Sequence, residues 1–420
     1  MLRIVRPKEF SAMRARAKAK PTNPEIPGTV REILDDVKER GDAAVKEYEK
    51  KFDGVDLEGL EVTEDEITEA LGLVGEEYTA MLQRAAENIR AFHSRQLREG
   101  FMFSPKDGVI LGQRVIPLQR VGLYIPGGTA SYPSSVLMNA IPAKIAGCPE
   151  VFMATPPEIR PEVIAAAHVA GVDRIYKMGG AQAVGAFAYG TESVPKVDKI
   201  TGPGNAYVAE AKRQVFGLVD IDMIAGPSEI LIIADRNNFA GHLAADMLAQ
   251  AEHDVNATAI LITNSRRFAQ NVIAELEVQI EKLERHDIAR ASIDDNGIII
   301  IVDNWGQAVD IANEIAPEHL ELCVEDAFEW LVKIRNAGSV FLGRNSPEAL
   351  GDYYAGPNHT LPTMGTARFS SPLSVDDFVK KSQYIYYGAW ALRQASGDIE
   401  VFAHSEGLTG HERSISIRRE

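Results

Sequence analysis

The chain has only two cysteines, Cys148 and Cys323, among 420 residues. Two thiols exclude a disulfide framework and a thiolate-rich metal centre, and they fit a reducing compartment. Positive charge is scarce too: 44 Lys and Arg face 60 Asp and Glu, a formal net charge of −16. Phosphate backbones and anionic membranes select basic surfaces, so neither nucleic acid nor membrane is expected as a partner. Long apolar runs are missing. Ile298–Val302 and Ile230–Ala234 last a handful of residues, where a membrane span needs ~20. The basic N-terminal stretch (Arg3, Arg6, Lys8, Arg14, Arg16, Lys18, Lys20) lacks the apolar centre of a secretory signal, so a cytoplasmic protein is expected.

Three familiar fingerprints are absent as well. No G-x-x-x-x-G-K-[ST] occurs, which argues against a P-loop nucleotide hydrolase. Gly202-Pro203-Gly204 opens a G-x-G, but Tyr207 stands where the third glycine of the dinucleotide motif belongs. A nicotinamide cofactor would have to bind in a non-standard way. There is no H-E-x-x-H.

What is present is periodicity. Val30, Ile33, Leu34 and Val37 share one helix face, as do Leu82, Ala85, Ala86, Ile89 and Phe92. From about residue 109, short β-branched runs alternate with helical stretches: Val109–Leu111, Val151–Met153, Arg174–Tyr176, Ile230–Ile233, Ala259–Ile262, Ile298–Val302, Leu320–Val324 and Ser339–Leu342 among them. Such a series implies parallel strands covered on both faces, an open doubly wound α/β fold long enough for two sheets. Glycine and proline gather after these runs, at Ile125-Pro126-Gly127-Gly128, Gly179-Gly180, Gly202-Pro203-Gly204, Gly226-Pro227 and Gly356-Pro357. In open α/β sheets that is the ligand-binding edge. After Ser371 the pattern reads as helical again, ending in a polar tail.

Four places carry possible chemistry. Gln250 and His253 stand three apart on one helix face, as a metal pair or as a histidine beside a helix C-terminus. Glu318-His319, at the entry to a strand, is either a general acid/base pair or an ordinary polar turn. Asp352, in the loop Gly351–His359, can bind metal or cap a turn. Glu406 and His411 offer a carboxylate and an imidazole near the end of the chain. Cys148 has no nearby lysine or histidine to activate it and reads as packing.

Together these segments resemble the histidinol dehydrogenase family. The likeness rests on Val121–Gly128, Gly179–Ala183, Gly202–Lys212, Ala225–Glu229, Gln250–His253, Pro317–Leu320, Gly351–Tyr353, Asn358-His359 and Glu406–Leu408, and it spans essentially the whole chain. The resemblance implies NAD-dependent oxidation of L-histidinol through L-histidinal to L-histidine. It implies one Zn2+ per subunit on Gln250, His253, Asp352 and His411, with substrate on that ion and on Ser228, His319 and Glu406. Glu318 and His319 would be catalytic, and Tyr124, Gln182 and Asn205 would contact NAD. It also implies a homodimer with shared active sites, Glu406 and His411 completing the other subunit's site. The fold so implied has two incomplete Rossmann-like domains, one inserted in the other. Residues 1–20 would be an N-terminal helical segment, 21–123 and 232–373 the first domain, 124–231 the inserted one, and 374–420 a C-terminal tail domain. The alternative is the same zinc and NAD chemistry on another small polar alcohol.

Overall fold

A computed structural model describes residues 2–17, 24–127 and 131–419. Gly128 of the first glycine junction, and Lys18 and Lys20 of the basic stretch, lie outside them. The alternation of apolar runs and helices resolves into two parallel sheets. One has five strands, in the spatial order Arg174–Lys177, Glu150–Thr155, Arg120–Tyr124, Lys199–Thr201, Asp220–Ile221. The other has six, in the order Arg3–Val5, Ile298–Ile301, Thr258–Thr263, Glu229–Ala234, His319–Cys323, Ser339–Leu342. In each the chain order reverses at a central pair of strands. Those pairs are Arg120–Tyr124 with Lys199–Thr201, and Glu229–Ala234 with His319–Cys323.

Burial on both faces explains the unbroken apolar runs. Ile230, Ile232 and Ala234 pack with Leu243, Met247 and Leu248, whereas Leu231 and Ile233 pack on the other face with Ile311 and Ile315. In the five-stranded sheet Val121, Leu123, Val151 and Met153 meet Leu82, Ala86 and Ile89. Phe152, Ala154 and Tyr176 turn the other way, toward Val30, Leu34 and Val37. A fully buried side chain of this size contributes about 2 kcal/mol of transfer free energy, so a polar residue in these strands would be selected against.

The structure departs from several sequence-based expectations. Arg3–Val5 is an edge strand paired with Ile298–Ile300 before the helix Pro7–Ala17 begins, because three residues are too few to show a period. The helices from Ile26 to His93 cover the five-stranded sheet, although they were expected with the other. A helical stripe announces that a face is buried, not what covers it. The expected boundaries at 123/124 and 231/232 both fall inside strands, Arg120–Tyr124 and Glu229–Ala234. Val109–Leu111 belongs to an antiparallel strand, Val109–Pro117, and the region after Ser371 contains the strand Val379–Tyr387.

The chain divides into two compact units. The first comprises 1–96 and 118–378 and holds both parallel sheets. The second comprises 97–117 and 379–420, with the antiparallel strands Phe101–Phe103, Val109–Pro117 and Val379–Tyr387 and the helices Ala389–Ser405 and Thr409–Ser416. Among the described residues, no helix is long and apolar enough to cross a membrane.

Candidate active site

The two sheets turn opposite edges toward one cleft. The five-stranded sheet presents its C-terminal edge, where strand Lys199–Thr201 runs into Gly202-Pro203-Gly204-Asn205. Gly202 has φ +112°, and a Cβ there would stand 2.0 Å from the Tyr124 carbonyl oxygen, so only glycine fits. Asn205 caps the helix Ala206–Val215, its Oδ1 accepting from the N–H groups of Tyr207 (3.0 Å) and Val208 (3.1 Å). The six-stranded sheet presents its N-terminal edge, where Glu229 and His319 begin neighbouring strands. The usual rule for open α/β sheets therefore holds on one wall and is inverted on the other. Between them lies a cavity of 610 Å3 lined by Asn205, Ser228, Gln250, His253, Glu318, His319 and Asp352, seven of the residues singled out from sequence.

Glu318 and His319 are only 6% and 4% exposed. Glu318 Oε2 accepts the Glu229 N–H at 2.9 Å. Burial pushes its carboxyl well above the ordinary value, with the negative charges of Glu229 and Asp352 acting in the same direction and the backbone N–H opposing them. His319 moves the other way, down to about 4, because burial disfavours imidazolium more than Asp352 stabilises it. Its ring is therefore neutral near pH 7. Nδ1 lies 3.1 Å from both the Glu229 carbonyl and the Gln250 side-chain amide; with the proton on Nδ1 and donated to that carbonyl, Nε2 carries the lone pair. Nε2 is buried without a hydrogen-bond partner.

Gln250 lies in the last turn of the helix Ala240–Ala251, and His253 follows just beyond it. The Gln250 amide lies 3.1 Å from His319 Nδ1, and its nitrogen faces Glu348 Oε1 (3.2 Å) and the Glu229 carbonyl (3.2 Å). Its oxygen is thereby turned to the other side. His253, Glu348 and Asp352 place one ligand atom each within 4.8 Å of one another. An imidazole with two carboxylates matches zinc or a similar divalent ion. Glu348 itself calls for a cation. Its Oε2 is buried without a partner, and burial together with Asp352, Glu318 and Glu321 pushes its carboxyl well above the ordinary value.

The remaining expected residues are more dispersed. Tyr124 and Gln182 are buried behind the wall of the cleft. Tyr124 Oη accepts the Gly180 N–H at 3.1 Å, and Gln182 Nε2 donates to Glu49 Oε1 at 2.9 Å. Glu406 and His411 lie in the second unit, both exposed, Glu406 closing Ala389–Ser405 and His411 within Thr409–Ser416. Cys148 is buried and donates to the Phe378 carbonyl at 3.6 Å, away from the chemistry.

A family model described as histidinol dehydrogenase matches residues 16–419. The chain belongs to the histidinol dehydrogenase family. It is 57% identical over 403 residues to the histidinol dehydrogenase of Syntrophotalea carbinolica, covering 94% of each chain. It is 53% identical over 416 residues to that of Geobacter sulfurreducens, covering 98% of this chain and 96% of the relative. The crystal structure of histidinol dehydrogenase from Elizabethkingia anophelis superposes with a TM-score of 0.90 at 39% identity, covering 95% of this chain and 93% of that one. The mixed α/β architecture is thus a histidinol dehydrogenase fold, and the protein is an oxidoreductase of that family.

Three residues at or beside this site escaped the reading of the sequence. Glu348 precedes Asp352 by four on the helix Glu348–Tyr353, a spacing that puts both carboxylates on one face and was the available signal. His359, quoted in the matching motif without a role, sets its Nδ1 3.1 Å from the Asp352 carbonyl and its Nε2 3.3 Å from Ser135 Oγ. Glu49, from the helix Asp42–Phe52, accepts the Gly179 N–H at 2.9 Å as well as Gln182. Nothing in its local sequence marks it.

Proposed function

We propose that the chain oxidises L-histidinol through L-histidinal to L-histidine with NAD, as a cytoplasmic homodimer whose subunits share active sites. The observation that carries this is His319: a neutral, buried imidazole with an unengaged Nε2, in the same cleft as His253, Glu348 and Asp352. Zinc, held by Gln250, His253 and Asp352 with His411 of the partner subunit, would supply a fixed attachment point for the substrate's imidazole and amino nitrogens. Glu348, close enough to share that ion, is a further candidate ligand. NAD would supply the hydride acceptor in each of the two oxidations.

The chain's own residues handle the protons. His319 Nε2 takes the hydroxyl proton of the alcohol while hydride leaves the carbon. Glu318 removes a proton from the water that adds to the aldehyde, and the resulting hydrate loses the second hydride. Ser228 of this chain, together with Glu406 of the partner subunit, holds polar groups of the substrate. Tyr124, Gln182 and Asn205 form the cofactor's side of the site, Asn205 in the wall and the other two from behind it.

The deciding experiment supplies L-histidinol, NAD and zinc and follows NADH together with L-histidine. Two NADH per L-histidine are expected. Formation of NADH from a different small alcohol, with none from L-histidinol, overturns the assignment.

A further inference from the structure

Lys212 and Asp222 form a buried ion pair, their side chains 2% and 1% exposed. Both members bind the backbone of Gly202. Lys212 Nζ donates to the Gly202 carbonyl at 2.9 Å, and the Gly202 N–H donates to Asp222 Oδ2 at 2.7 Å. Asp222 Oδ1 accepts from Lys212 and from the Met223 N–H, the latter at 2.6 Å. Gly202 is thus gripped at its N–H and its carbonyl by opposite charges.

Packing does not require this arrangement. The helix Ala206–Val215 is already anchored by Val208, Ala211 and Val215 in an apolar core. A buried ion pair is weak evidence for stability, because well-packed apolar residues often replace one without loss. What the pair adds is definition of one turn. Gly202, Gly204 and Asn205 line the cleft beside Asp222. Gly204 is confined too, since a Cβ there would stand 2.4 Å from Val208 Cγ1. The turn also follows the strand at the reversal of strand order, where open α/β sheets receive ligands.

We propose that Lys212 and Asp222 are positioning residues for the cofactor: they hold the Gly202–Asn205 turn in the shape against which the dinucleotide lies. This rests on the reading that NAD occupies that arm of the cleft. Substitution should therefore weaken NAD binding and spare the substrate.

The test uses the zinc-loaded full chain and titration calorimetry with NAD alone and with L-histidinol alone. The double variant Lys212→Met/Asp222→Asn removes the charges together and leaves no unpaired buried ion. It should raise the NAD dissociation constant and KM about tenfold or more, since small misplacements of a binding wall are costly. L-Histidinol affinity and zinc content should stay within about twofold of the parent. Asn205→Ala is the companion and should also weaken NAD. If Asn205→Ala weakens NAD binding while the double variant does not, the positioning role is wrong and the cofactor reading stands. If neither weakens it, the cofactor lies elsewhere and both readings fall. If the double variant loses NAD, L-histidinol and zinc alike, the pair is merely structural and the proposal is overturned. Should the double variant not fold, Asp222→Asn alone, which keeps an acceptor for the Gly202 N–H, is measured against the same outcomes.

Discussion

His319 Nε2 and Asp352 Oδ1 face each other at 3.9 Å, beyond hydrogen-bond range, and the buried nitrogen has no other partner. A buried polar atom left in this way is unfavourable by about 1–3 kcal/mol. The imidazole is nevertheless fixed from behind by the Glu229 carbonyl, so its free nitrogen is held ready for a ligand's proton. With its pKa pushed down to about 4 the ring is unprotonated at neutral pH, so that nitrogen is open to a proton, as a general base requires.

His319→Asn should lower kcat by about two to four orders of magnitude, the usual contribution of a positioned general base. Zinc content and L-histidinol affinity should change little, because Asn retains a donor for the Glu229 carbonyl. Steady-state kinetics beside metal analysis and substrate titration checks this. Undiminished turnover would remove His319 from the mechanism.

Removing a carboxylate from the acidic group should loosen the metal. We expect Glu348→Gln, like His253→Ala, to lower the zinc retained after dialysis, with His253→Ala the more severe because it deletes an imidazole donor. Zinc retained in full by Glu348→Gln would make Glu348 a support for Gln250 only, through their 3.2 Å contact.

Glu49 predicts a pH dependence of stability. Burial raises its carboxyl to about 7, against the opposing bonds from Gly179 and Gln182. The folded chain therefore binds a proton more tightly than the unfolded one. The resulting stabilisation is complete below the ordinary carboxyl value and is lost as pH rises through about 7. Glu49→Gln abolishes that titration. Between about pH 5 and about pH 8 its melting temperature should fall less than the parent's. Parallel melting curves for the two proteins would refute the assignment.

Sharing of sites between subunits has a direct test. Inactive His319→Asn and inactive His411→Ala, mixed, unfolded and refolded together, should regain part of the parent activity if each site draws His411 from the neighbouring subunit. A mixture that stays inactive would mean that each chain builds its own site.

Much of this was legible in the chain because local rules carry it. Runs such as Ile298–Ile301 announce buried parallel strands, and Gly202 marks a turn that forbids a side chain. Cys148 was readable as inert: burial raises its thiol to about 11. Other features had no local trace. Arg3–Val5 becomes a strand only because Ile298–Ile300 offers it an edge. Val379–Tyr387 is largely exposed, so it lacks the in–out alternation that betrays a strand.

The sequence by itself determined the α/β class, the glycine turns and the residue types available for proton transfer and metal binding, since these follow from periodicity, steric limits and side-chain chemistry. Tertiary structure alone decided that the six-stranded sheet offers its N-terminal edge, that Glu348 joins His253 and Asp352, and that Glu49 reaches Gly179 and Gln182 from 130 residues away. Contacts between distant segments depend on how whole layers pack, and that information is distributed over the entire core.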